Sequence, residues 1–244
     1  MKSSPAAKKT APASKKTTKP AAKNVAKHVA KSSDTIGRMI RDRLKAVERS
    51  PAELAEAVEV PIEYVEDLMS GRRRPPRPER TDLYDRMTSF LQLSRNDLAT
   101  CAKLEREATA PAKIPAPKPT VRKALLDLCD PKTAKKLEQR RSKNGHAELS
   151  EFFQRLLDVT QSTVRRLLTD QISLRIAAQG SPSSYAAMRL QVLEFLDTTP
   201  DTLTIDDLTK FLRPRVASWD VDWDTGALKV VLHSSNPDGP PSAG

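Results

Sequence analysis

The stretch TAPAKIPAPKPT, Thr109 to Thr120, holds four prolines in twelve residues. Each proline fixes its own φ, removes a backbone donor and turns the residue before it away from helical geometry. No helix or central strand crosses such a segment, so it is expected to be a semi-extended linker at roughly 3.1 Å per residue, about 37 Å at most. Folded material is then expected on each side, in two small units rather than one continuous core.

On the N-terminal side the apolar residues follow a helical period. Ile36, Ile40, Leu44 and Val47 define a first helix. Ser50-Pro51 supplies an N-cap and a first-turn proline for a second, and Glu53 completes a capping box. Leu54 and Val58 form the apolar side of that helix. After the turn Glu59-Val60-Pro61 a third helix carries Val65 and Leu68 inward and closes at Gly71. An arginine-rich loop follows with Arg72, Arg73, Arg74, Arg77 and Arg80, then a helix with Leu83, Met87, Phe90 and Leu91 on one face. Leu93-Ser94 opens a last short helix containing Leu98.

The residues IGRMIRDRLKAVERSPAELAEAVEVPIEYVEDLMSGRRRPP, followed by MTSFLQLSRNDL, resemble the Cro/phage-repressor (XRE-type) helix-turn-helix family. The likeness rests on the ELA of the second helix, the apolar turn residue, the G-x-R-x-P after the third and the closing L-x-L-S-x-x-x-L. It implies a helix-turn-helix domain over 34–108 whose third helix enters the major groove. Carried over, the reading positions are Ile62, Glu63, Tyr64 and Glu66. The family usually places Ser, Gln, Thr, Asn, Arg or Lys there, and Gln where this chain has Pro51. Glu63, Glu66 and Asp67 would face a surface bearing one phosphate charge per ~1.7 Å of duplex axis. The acidic face formed by Glu63, Tyr64, Glu66 and Asp67 is therefore expected to meet a basic protein or the chain's own tail. Arg72, Arg73, Arg74 and Arg77 are expected to lie beside the DNA backbone.

Shifted by 99 residues, the frame returns. Leu54, Val58, Val60, Val65 and Leu68 fall on Phe153, Leu157, Val159, Val164 and Leu167. At a shift of 105, Leu83, Met87, Phe90, Leu91 and Leu98 fall on Met188, Val192, Phe195, Leu196 and Leu203. A diverged second helix-turn-helix unit is thus expected over 121–213. Its reading positions become Gln161, Ser162, Thr163, Arg165 and Arg166, side chains able to pair with base edges and phosphate. The linker's reach matches the roughly 34–36 Å between half-sites, so one chain is expected to act as a covalent pseudo-dimer. A homodimer stays open as well.

Charge is unevenly placed. The formal net charge is +11, yet residues 1–35 alone hold nine lysines against one aspartate. That tail, 1–33, is Lys, Ala, Pro, Ser and Thr with almost nothing to bury, and is expected to stay disordered. Lys8, Lys9, Lys15, Lys16, Lys19, Lys23, Lys27 and Lys31 are its expected phosphate contacts. The end, 234–244, is expected to be frayed.

Within 214–233 the period changes to two. Trp219, Val221 and Trp223 alternate with Asp220, Asp222 and Asp224, a turn falls at Asp224-Thr225-Gly226, and Leu228, Val230 and Leu232 return. A lone hairpin is marginal in water, so it should dock on the second helical unit or on another chain. The aspartates do not make a calcium loop: glycine comes seventh rather than sixth, and Val231 stands where the twelfth ligand is needed.

The expected fold is mainly α: two small helix-turn-helix bundles in tandem, a Lys-rich tail and a short C-terminal β-hairpin. Scattered histidines and only two cysteines, Cys101 and Cys129, give no metal site, no disulfide framework and no cofactor. No apolar run is long enough for a membrane span, and no secretory signal is apparent. Glycines are too few for a phosphate-cradling loop, and no nucleophile–His constellation or catalytic carboxylate pair is found, so no enzymatic activity is expected. The expected function is a DNA-binding transcriptional regulator in the cytoplasm, associated with the nucleoid and bound to double-stranded DNA. The alternatives are an architectural nucleoid protein and a protein-interaction module using the acidic face.

Overall fold

The computed structural model describes residues 35–111, 113–139, 145–178 and 182–233. They are mainly helical with one small antiparallel sheet. Helix α1 (Ile36–Ala46) is capped by Thr35, whose hydroxyl accepts from the Arg38 amide, and buries Ile36, Ile40 and Leu44. Gly37 lies against the end of α3 (Ile62–Ser70): a Cβ there would stand 2.4 Å from the Met69 carbonyl oxygen and 2.7 Å from that of Leu68. Only glycine permits this crossing.

Helix α2 (Pro51–Ala57) begins in a full capping box. Ser50 Oγ accepts from the Glu53 amide at 3.2 Å and Glu53 Oε2 accepts from the Ser50 amide at 2.8 Å. The chain then leaves helical geometry, with Glu59 at φ 57° and Pro61 unable to donate. Helix α3 ends at Gly71 with φ 77°, a left-handed cap that glycine adopts without steric cost. Helices α4 (Leu83–Phe90) and α5 (Asp97–Ala108) close this half over a core including Leu54, Val58, Val65, Leu68, Leu83, Met87, Leu91 and Leu98.

The second half contains α6 (Pro119–Leu126), α7 (Pro131–Gln139), α8 (Gly145–Thr169), α9 (Gln171–Ala177), α10 (Pro182–Asp197) and the short α11 (Ile205–Asp207) running into a π turn at Leu208–Leu212. Of its ten matched apolar positions, Phe153, Leu157, Val164, Val192, Phe195, Leu196 and Leu203 are buried, Leu167 and Met188 are half-buried, and Val159 is exposed. The backbone does not match. Helix α8 runs unbroken for 25 residues through the place where a turn between two helices was expected. The second helix-turn-helix is therefore not formed. Thr160 stands at the position equivalent to Pro61, so its amide continues the helix and its hydroxyl bonds the Leu156 carbonyl at 2.9 Å. Val159, the expected turn residue, is left on the exposed side of the helix.

Strands β1 (Val216–Asp222) and β2 (Ala227–Leu232) pair antiparallel, with Trp219 opposite Val230 and Val221 opposite Leu228. Gly226, at φ 65°, closes the turn between them. The hairpin docks on the second half through Trp219, which is buried, meets Phe153 edge-on at 5.9 Å and donates its indole N–H to the Leu125 carbonyl at 2.8 Å. Its backbone also exchanges bonds with Leu128 (3.0 Å) and Asp130 (2.9 Å), which covers one edge of β1. Trp223 lies beyond the end of β1 and is only half-buried.

The proline segment does not hold the two halves apart. The described residues from Thr35 onward form one compact unit. Arg189 of α10 is fully buried, clasps both carboxylate oxygens of Asp82 at 2.7 and 2.9 Å and donates Nε to the Val58 carbonyl at 3.1 Å. In the other direction Arg106 of α5, also buried, bonds Asp197 at 2.6 Å and the Pro75 carbonyl at 2.6 Å. Glu59 receives Arg86 of its own half at 2.6 Å, with Arg175 at 3.2 Å and the Tyr185 hydroxyl at 3.1 Å from the other. Burial pushes the Glu59 carboxyl up, but its bonds to Arg86 and Tyr185 outweigh this and hold it below the usual value. Two units free to span separate half-sites are thus not what the chain folds into, because their charged surfaces neutralise each other.

Candidate nucleic-acid interface

Of the four arginines expected to hold phosphate, Arg73 and Arg77 are half-buried, while Arg72 and Arg74 stay exposed. Arg73 leaves α3, lies over the Tyr64 ring at 4.9 Å and bonds Glu194 of α10 at 3.0 Å. Arg80 donates to Asp158 at 2.5 Å and to the Gln161 side-chain oxygen. Arg74 donates to the Arg106 carbonyl at 3.1 Å, and Arg72 pairs with Asp67 at 2.8 Å on the exposed side. Arg77 has no hydrogen-bond or ion-pair partner among the described residues. A guanidinium is equally suited to carboxylate and phosphate, and here the carboxylates lie 78 and 121 residues away in sequence.

The expected reading set of the second half is also divided. Gln161 is buried, and its amide nitrogen donates to the Phe195 and Thr198 carbonyls at 2.7 and 2.9 Å. It cannot reach a base edge while α8 is packed. Periodicity could have located it, since Phe153, Leu157, Gln161, Val164 and Leu168 form one stripe of α8. Ser162 and Thr163 bond back to their own helix, at the Asp158 and Thr160 carbonyls. Arg165 and Arg166 are exposed.

On α3, Tyr64 is buried rather than presented. Burial pushes its phenol well above the ordinary value. Glu63 and Glu66 are exposed, as is Glu56 on α2, and none has an ion-pair partner among the described residues. Asp67 is half-buried and neutralised by Arg72. Of the expected acidic face, Glu63 and Glu66 remain exposed, Asp67 is paired and Tyr64 is buried.

Exposed cations that sequence reasoning passed over lie on α1 and α7. Arg41 and Lys45 stand one turn apart on α1, directly after the tail joins the fold. Lys132, Lys135 and Lys136 share one side of α7, with Lys136 over the Trp223 ring at 5.8 Å. Their signal was the i, i+3, i+4 spacing in PKTAKKLEQ. The expected tail contacts from Lys8 to Lys31 lie outside the described residues, as do the expected ends 1–33 and 234–244.

Among the described residues no group of His, Cys, Asp and Glu is arranged to hold a metal ion, and no helix is long and apolar enough to cross a membrane. Comparison with protein-family models, with curated proteins and with solved structures finds no match to this chain.

Proposed function

We propose that this chain is a DNA-binding protein that grips the phosphate backbone, with its lysine tail supplying most of the affinity. It acts on transcription by occupying and organising duplex rather than by reading bases with a helix-turn-helix. The observation that carries this is the division of charge. Nine lysines and one aspartate fill residues 1–35, while the folded body spends Arg73, Arg80, Arg106 and Arg189 on its own carboxylates. Exposed cations on the body, among them Arg41, Lys45, Lys132, Lys135, Lys136, Arg165 and Arg166, are available to phosphate alongside the tail.

Backbone binding of this kind is steeply salt-dependent, each neutralised phosphate adding about −0.9 to the slope of log K against log salt. The test compares the full chain with one lacking residues 1–31 on several unrelated duplexes. Affinity should fall by a similar factor on all of them, and the salt slope should flatten by several units. An unchanged slope after deletion would refute the proposal.

A selective regulator is the second reading, favoured by Arg165 and Arg166, which are adjacent and exposed on α8. It requires a preferred site bound ~10³-fold or more above bulk DNA, a preference that Arg165→Ala/Arg166→Ala would remove. The exposed Glu56, Glu63 and Glu66 favour a contact with a basic protein as a further role of the same body.

A further inference from the structure

A groove of about 580 Å³ opens on the seam between the two halves, walled by the proline segment on one side and by Gln154, Thr199 and Thr202 on the other. Three guanidinium groups line it, Arg74, Arg77 and Arg106, and Arg80 holds the lining carboxylate Asp158 from behind. Only two carboxylates lie among them at bonding distance, and both are taken. Asp158 is held by Arg80 at 2.5 Å and Asp197 by Arg106 at 2.6 Å. That leaves Arg77, half-buried and without a partner among the described residues, and Arg74, whose one bond is to a carbonyl. Burial first, then the neighbouring Arg80 and Arg106, pulls the Arg77 guanidinium below its ordinary pKa; burial and Arg106 do the same to Arg74. A half-buried cation that no carboxylate bonds costs stability, and Arg77, with the exposed Arg74 on the same groove, gains when an anion joins it.

We propose that this groove binds a small phosphorylated compound, with Arg77 and Arg74 receiving the phosphate. Its volume falls in the range of small-molecule sites, which favour seams between folded parts. Planar guanidinium forks match phosphate oxygens in pairs. The remaining charges at the groove argue against duplex as the occupant. Glu79 and Glu107 are exposed at its rim beside Lys103 and Lys113, Lys103 pairs with Glu107 (4.0 Å), and Asp201 accepts from Thr199 at 2.6 Å. A compact anion reaches the arginines between these carboxylates, whereas a continuous polyanion must pass them.

The test uses the full chain with pyrophosphate as probe, in enough salt to suppress the tail. Pyrophosphate should raise Tm saturably below about 10 mM, as preferential binding to the folded state requires. Arg77→Gln and Arg74→Gln should each weaken that response at least about fivefold, while Arg165→Gln should leave it intact. Without ligand, Arg77→Gln should unfold at the same or a higher temperature, because it removes a half-buried cation that no carboxylate bonds. A lower Tm would make Arg77 a structural residue and overturn the proposal. So would the absence of a saturable response, equal losses in Arg165→Gln, or full displacement of pyrophosphate by duplex. Duplex affinity and its salt slope are read separately, so failure here leaves the tail's role standing or falling on its own data.

Discussion

The contact between Arg189 and Asp82 is open to a directional test. Arg189 has no exposed side-chain surface, while Asp82 keeps 27% of its own and is also held by Arg86 at 2.9 Å. Replacing Asp82 with Asn leaves the arginine buried with its charge uncompensated, one of its nitrogens (Nη1) already having no partner. Removing one partner of a buried pair costs about 3–5 kcal/mol, and the remaining amide oxygen trims this to about 3 kcal/mol. Arg189→Met removes the buried charge itself, fills much of the same space and leaves Asp82 with Arg86, so its cost should be only about 1–2 kcal/mol. Asp82 makes no side-chain cap to α4, so no capping loss confuses the comparison. Urea unfolding is the assay. Asp82→Asn should lower the midpoint by about 1 M or more at constant m, Arg189→Met by roughly half that, and the double variant should match Arg189→Met. If Arg189→Met is the worse of the two, or the effects simply add, the seam is not held by this pair as described.

Other expectations follow from single contacts. Gly37→Ala should destabilise by about 2 kcal/mol or more, because its methyl meets two backbone carbonyls that a rotamer change cannot move; a neutral result in thermal unfolding would contradict the α1–α3 crossing. Glu53 is held from 4.5 down to about 2, by the Ser50 amide first and then by the Arg49 and Ser50 side chains. A depressed folded pKa contributes stability that is present above about 4.5 and lost as pH falls toward about 2. The stability gap between wild type and Glu53→Gln should therefore shrink across that window, and a gap independent of pH would exclude the mechanism. Cys129 is buried and its thiol is pushed up to about 12 by burial, then by Asp220 and Asp130. Thiol reagents at pH 8 should leave it unmodified until denaturant is added, and rapid native-state labelling would count against the packing of the hairpin on α6.

Local structure in the first half was legible because its signals are local. Ser50-Pro51 with Glu53, Pro61 and Gly71 fix a start, a break and a stop by chemistry that acts within four residues. The hairpin was legible for the same reason, from alternation and Gly226. The second half misled because an apolar frame records which residues face inward, not whether the backbone bends between them; one residue, Thr160 in the place of Pro61, separates a turn from an unbroken helix. The candidate interface was least legible. Arg73 and Arg80 look the same in sequence whether they await phosphate or carboxylate, and Glu194 and Asp158 become their partners only after folding. Gln161 could have been assigned to the interior from its place in the α8 stripe, but its polar chemistry pointed outward.

The inward-turned arginines bear on how the molecule is dissected. Cutting the chain at the proline segment would strip Arg73, Arg80 and Arg106 of Glu194, Asp158 and Asp197 in one step. A truncated piece ending there would present fresh guanidinium groups to any nucleic acid in the tube. It would stick to DNA through a surface that the intact molecule keeps covered, and a pull-down with such a piece would record the cut rather than the protein.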